Sequence, residues 1–169
     1  MIKDLGINVF RFIVLVFLQL FVLNNIQFSG FVNPYMYIMF IMLLPFEIAG
    51  WLMLILAFTI GMVIDVASNT IGYHTIATVF MAYLRIYLLR YIAPHDGYEQ
   101  GMSPTIASLG FNWTIKYVSI LTFTHHIILF LIESFRFSDM LFASLRAIAS
   151  TLFTVLLIVI FQFFAIRSR

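Results

Sequence analysis

The stretch AFTIGMVIDVASNTIGYHTIATVFMAYLR, residues 57–85, sets two long apolar runs on either side of a short polar break. The break is Ser68-Asn69-Thr70, followed by Gly72, which is turn chemistry. Before it, Ala57, Gly61, Asp65 and Ser68 recur at intervals of three or four, so they share one face of a helix. After it, Thr75, Thr78, Ala82 and Arg85 do the same. A narrow stripe of small and polar residues on an otherwise apolar helix is the pattern of helix–helix contact in lipid. Small side chains let backbones approach there, and polar ones need partners. The stretch therefore predicts two adjacent membrane helices joined by a tight turn.

The rest of the chain agrees. Of 169 residues 63 % are hydrophobic and 9 % charged, against about 25 % charged in a soluble domain. Mean hydropathy is +1.08. The absence of cysteine excludes disulfides and thiolate metal sites. A net charge of +2 is too small to suggest nucleic acid as a partner. These features predict an all-α, polytopic membrane protein forming a single domain over residues 1–169.

Six apolar segments can be drawn, at about 7–26, 34–46, 51–66, 72–92, 113–135 and 139–166. The first follows Lys3 and Arg11 like a leader peptide. Asn24-Asn25-Ile26-Gln27 replaces the small residues of a cleavage site, so it reads as a retained span. The second is bracketed by Asn33-Pro34 and Pro45, and its 13 residues would reach only about 20 Å as a helix. It is read as a span all the same. With six spans, Lys3, Arg11, Arg90, Lys116, Arg167 and Arg169 fall on one side and Arg136 on the other. The positive-inside rule then puts both termini and the 93–112 connection in the cytoplasm.

Two further polar stripes follow, Ser119, Thr122, His126 and Glu133 in the fifth segment and Asp139, Ala143, Arg146, Ser150 and Thr154 in the sixth. The first span has only Gln19 as a polar residue between Phe12 and Leu23, so it faces lipid or a partner helix. Charges inside spans cost about 2.5–3.5 kcal/mol at the helix centre, so each needs an explanation. Arg85 can snorkel to the cytoplasmic surface beside Arg90. Asp65 can be paired within the bundle, can help cap the Ser68-Asn69-Thr70 turn, or can mark a partner site. Matching depths suggest a pair of Asp65 with Arg146, through His74 or water, with Glu133 and Asp139 as rival partners for the arginine. The candidate intramembrane polar or partner site is thus Asp65, His74, Arg85, His126, Glu133 and Arg146. Bulky side chains of the first two segments, Phe17, Phe21, Tyr37 and Phe40, are the expected docking face for a partner helix.

Enzymatic chemistry has little to stand on. His125 and His126 are adjacent and cannot chelate as an i, i+4 pair does, and neither HExxH nor GxSxG occurs. No cofactor or metal site is expected.

The segments NPYMYIMFIMLLPFE (33–47) and 57–85, with Gly61, Asp65 and Gly72 over two adjoining spans, resemble the rod shape-determining protein MreD family. His125-His126 and Glu133 are similar to members of the Bacteroidetes type. The resemblance implies a non-enzymatic subunit of the cell-elongation machinery in the bacterial inner membrane. Its implied partners are a bitopic MreC-like protein, RodA with its transpeptidase, and MreB indirectly, within membrane lipid. The family is similar in fold to the substrate-binding subunits of energy-coupling-factor transporters, so the alternative is a subunit that binds a vitamin or other small molecule. Those subunits dock through an A-x-x-x-A stripe in the first helix, and the first span here has no alanine.

Overall fold

A computed structural model describes residues 2–26, 31–99, 101–134 and 139–167. Among them the secondary structure is entirely helical: α1 (Ile2–Phe21), α2 (Met39–Met42), α3 (Gly50–Ser68), α4 (Tyr73–Tyr91), α5 (Ile106–Ser134) and α6 (Met140–Arg167), with single 3-10 turns at Leu23–Asn25 and Met36–Ile38. Arg136 and Arg169, which entered the charge count, lie outside the described residues.

Among the described residues four helical stretches are long and apolar enough to cross a membrane: Gly6–Asn25, Gly50–Ser68, Ile106–Ser134 and Met140–Ala165. They leave large side chains such as Phe10, Phe17, Phe21, Trp51, Leu152 and Phe164 uncovered on their outer faces. A water-soluble monomer does not expose apolar surface on this scale. The chain is an α-helical protein of membrane type. Helix α4 has a comparable length of 19 residues, but His74, Thr75, Thr78, Arg85 and Arg90 dilute its apolar content.

The second segment departs from expectation. Residues 34–46 form no helix of crossing length, being helical only from Met36 to Met42. Nor do they face lipid. Every residue from Met36 to Leu44 is buried, with Tyr37 at 0 % and Phe40 at 3 % exposure, so neither can be a docking face. The segment threads the centre of the bundle and the other helices wrap it. Helices α3, α4, α5 and α6 pack in sequence order, each on the next, while α1 lies against α3 and the threaded segment. Of the four apolar helices α1 is the least covered.

Two ends of the bundle can be told apart by what meets there. At one, Asn24 Nδ2 donates to Ser68 Oγ (3.4 Å), and the 68–73 turn, Glu133 and Arg146 gather. At the other, Glu47 Oε1 accepts from the Gly101 amide (2.8 Å) and Gln162 Oε1 from the Ile106 amide (2.9 Å). Helix α5 is interrupted near that second end at Gly110, whose φ is 77°.

The backbones of α3 and α4 approach closely at Gly61. A Cβ on Gly61 would stand 2.5 Å from the Thr75 Cα, so only glycine lets the two backbones meet here. The stripes anticipated on both helices point inward: Ala57, Gly61, Asp65, Thr75, Thr78, Ala82 and Arg85 are all buried.

Candidate functional site

The polar side chains of the interior serve one need above all, the backbone of residues 33–44. Non-helical backbone at membrane depth must find its hydrogen bonds within the protein. On the entering side, the Asn33 amide donates to Ser150 Oγ (3.0 Å) and the Tyr35 amide to Thr154 Oγ1 (3.2 Å). Gln19, the lone polar residue between Phe12 and Leu23, accepts from the Met36 amide (2.8 Å) and donates to the Pro34 carbonyl (3.0 Å). On the leaving side, α2 ends at Met42 ahead of Pro45, which cannot continue a helix. The terminal carbonyls are then free for side chains. The Tyr117 hydroxyl donates to Met42 O (2.8 Å), Arg11 Nη1 to Leu43 O (3.3 Å) and Arg85 Nη2 to Leu44 O (2.5 Å).

Asp65 is held by its own hairpin. Helix α3 stops at Asn69, which takes the left-handed conformation (φ 53°), and Gly72, also left-handed (φ 78°), precedes α4. Gly72 occupies the N-cap position and has no side chain to satisfy the first amides of α4. The Asp65 carboxylate does so from the preceding helix, accepting from the amides of His74 (3.1 Å) and Thr75 (2.8 Å). These are the second and third helical positions, the ones an N-cap oxygen normally serves. The Thr70 and Thr75 hydroxyls donate to the two carboxylate oxygens, each at 2.5 Å. The expected pair with Arg146 is not formed. Arg146 reaches Glu133 instead (3.4 Å) and lies over the Phe130 ring (4.4 Å). A partner five to ten residues away, presented by a turn, outcompetes one on a distant helix.

Beside the hairpin sits a cluster around the Tyr37 hydroxyl, which contacts His125 Nε2 (2.7 Å), Thr78 Oγ1 (3.1 Å) and His74 Nδ1 (3.2 Å). Thr78 gives its proton to the His74 carbonyl (2.6 Å), and Tyr37 has only one proton to give. At least one imidazole must therefore donate a ring N–H to the Tyr37 oxygen. His125 Nδ1 has no partner, which fits the tautomer protonated on Nε2 and leaves a bare acceptor rather than a stranded donor. His126 bonds the Thr122 carbonyl through Nδ1 (2.8 Å) and Thr154 Oγ1 through Nε2 (3.3 Å). Tyr35 lies edge-on to His74, with ring centroids 5.0 Å apart. Above it a cavity of about 310 Å³ opens at the Asp65 end, lined by Asn33, Tyr35, Thr70, Tyr73, His74 and Glu133 among others.

Arg85 does not snorkel. It is 1 % exposed and turned inward, donating from Nε to the Tyr117 hydroxyl (2.7 Å), from Nη1 to Met53 Sδ (3.0 Å) and from Nη2 to Leu44 O.

Of the six candidate residues, Asp65, His74 and His126 share the Tyr37 neighbourhood, Glu133 and Arg146 pair beside it, and Arg85 stands apart toward the other end. Sequence reasoning offers Tyr37 only as part of a docking face and does not single out Tyr117. Their only signal is a hydroxyl carried into a segment otherwise read as apolar. Among the described residues no three His, Asp or Glu side chains converge as a metal site. Comparison of the chain with family models, curated proteins and solved structures gave no match.

Proposed function

We propose that this chain is a non-catalytic scaffold in the bacterial inner membrane, acting in cell elongation in the manner of MreD. It binds a bitopic MreC-like protein, and through it RodA, its transpeptidase partner and, indirectly, the MreB cytoskeleton. The resemblance over residues 33–85 suggests the family. The observation that carries the reading is the contrast between a braced interior and an open α1. Most of the interior polar side chains described above are bonded to one another, to the threaded backbone or to the turn that opens α4. Helix α1 meanwhile leaves Phe10, Phe17 and Phe21 uncovered along its length. Phe17 and Phe21 stack at 5.1 Å and offer a rigid aromatic ridge to a single partner helix. In this reading residues 33–47 and α4 also cross the bilayer, giving six crossings with both termini in the cytoplasm.

Recovery of the tagged chain in mild detergent tests the reading. A bitopic partner that crosslinks to photoreactive residues at Phe17 and Phe21 supports it. Co-purification of an ATPase module contradicts it. Topology is checked in the cysteine-free chain by single cysteines at Ile71 and Asp96, both exposed. An impermeant maleimide applied to spheroplasts should label the first and spare the second.

The cavity at the Asp65 end favours one second reading, a subunit that binds a small polar molecule. A ligand that co-purifies with the chain and is lost on Tyr35→Ala would favour it over the scaffold.

A further inference from the structure

At the Arg85 end, α3 and α4 part around a cavity of about 630 Å³, walled by Gly50, Met53, Arg85, Ile86, Arg90 and Tyr98 among others. Arg85 brings it a charge that pairs with no carboxylate among the described residues. Three of its five N–H groups have acceptors, and these are a hydroxyl, a thioether and a carbonyl. Among the described residues no carboxylate forms an ion pair with it, and Glu133 pairs with Arg146 instead. A buried cation without a counter-charge is costly, and an anion in the cavity would relieve that cost. Two other features face the same space. Arg90, exposed, stands at its mouth. The N-terminus of α3 opens on it through Gly50, and Ala49 supplies no side-chain cap. Free amides and the positive end of a helix dipole suit a phosphate.

Between the same two helices, about one turn farther toward the other end, lies a separate groove of about 440 Å³, lined by Leu54, Phe58, Ile76, Val79 and Tyr83 among others. Gly50, Leu54 and Phe58 are spaced by four, and Arg90, Tyr83 and Ile76 by seven, so the groove lies on the same outer face as Arg90 and Gly50, while Arg85 meets the cavity from the inner side. A phosphate alone would use only the first half of this surface. An anionic phospholipid uses both.

We infer that the α3–α4 hairpin holds one anionic phospholipid, its phosphate at Arg85, Arg90 and the α3 N-terminus and an acyl chain along the groove. The inference rests on the membrane placement and is independent of the scaffold reading. The same end carries Arg11 and Lys116, as expected where it meets an anionic leaflet.

Native mass spectrometry of the full chain, delipidated in zwitterionic detergent, tests it with short-chain phosphatidylglycerol, the matched phosphatidylcholine and inorganic phosphate. Phosphatidylglycerol should be retained one to one with roughly tenfold preference over phosphatidylcholine. Arg90→Gln, at an exposed position that does not threaten folding, should weaken that binding about fivefold. Leu54→Trp, which fills the groove, should weaken it as well. Phosphate bound as tightly as the phospholipid would overturn the lipid assignment. Equal binding of the two lipids, or full binding by both variants, would overturn the site.

Discussion

Asp65 and Arg85 are both buried charges on the same helical hairpin, and they are handled in opposite ways. The aspartate receives two amides and two hydroxyls, all from residues 70–75, and its charge caps α4. The arginine receives three neutral acceptors from three different parts of the chain and borders a cavity. A carboxylate can be satisfied by a turn, because a turn presents several donors at once. A guanidinium has five donors in a rigid fork, and a broken segment such as 42–45 offers it one carbonyl. The acid is therefore internal structure, and the base is left open to something added.

Breaking the closed charge should have the largest effect. Asp65→Ala strands two amides and two hydroxyls and removes the cap of α4. A loss of about 3 kcal/mol is expected, read as unfolding in detergent or as a collapse of membrane levels. Arg85→Gln, by contrast, gives up contacts but also removes an unneutralised charge. In detergent free of anionic lipid it should cost about 1 kcal/mol, clearly less than Asp65→Ala. Equal losses would erase the contrast. Gly61→Ala tests the approach of the two helices rather than their charges. With Thr75 Cα 2.5 Å from the new Cβ the backbones must separate, at about 1–3 kcal/mol. The smallest effect belongs to the Glu133–Arg146 pair, where Glu133 is 44 % exposed. Glu133→Gln should change stability by less than about 1 kcal/mol, and the change should fade in high salt. In a double-mutant cycle Asp65 and Arg146 should be additive, having separate partners.

The difference between the two charges also marks how far the sequence could be read. The stripes of α3 and α4 were legible because a helix repeats its faces every three to four residues, whatever surrounds it. The 68–72 turn was legible from Ser, Asn, Thr and Gly. The fate of residues 33–47 was not. An apolar run without periodicity looks the same whether it faces lipid or lies inside a bundle. Its shortness and its two prolines were the only signs that it breaks. Read as an outer helix, the segment offers Tyr37 and Phe40 as a docking face, whereas Arg85 is sent to the surface by the general tendency of a long basic side chain to snorkel beside Arg90. The carbonyl that holds the arginine exists only because Pro45 ends α2. Gln19 stood out as polar, but its clients, the amides of Met36 and Tyr37, belong to a backbone that a regular helix would have kept to itself.

The most direct measurement is the unfolding midpoint of the chain, of Asp65→Asn and of Arg85→Gln, each with and without saturating phosphatidylglycerol in a zwitterionic detergent. A ligand that binds the folded state at 100 times its dissociation constant should raise the midpoint by about 5 °C or more. That rise is expected in the parent chain and in Asp65→Asn, whatever its starting midpoint, and it should vanish in Arg85→Gln. The same rise in all three would contradict the assignment of Arg85 as the charge held open for an anion.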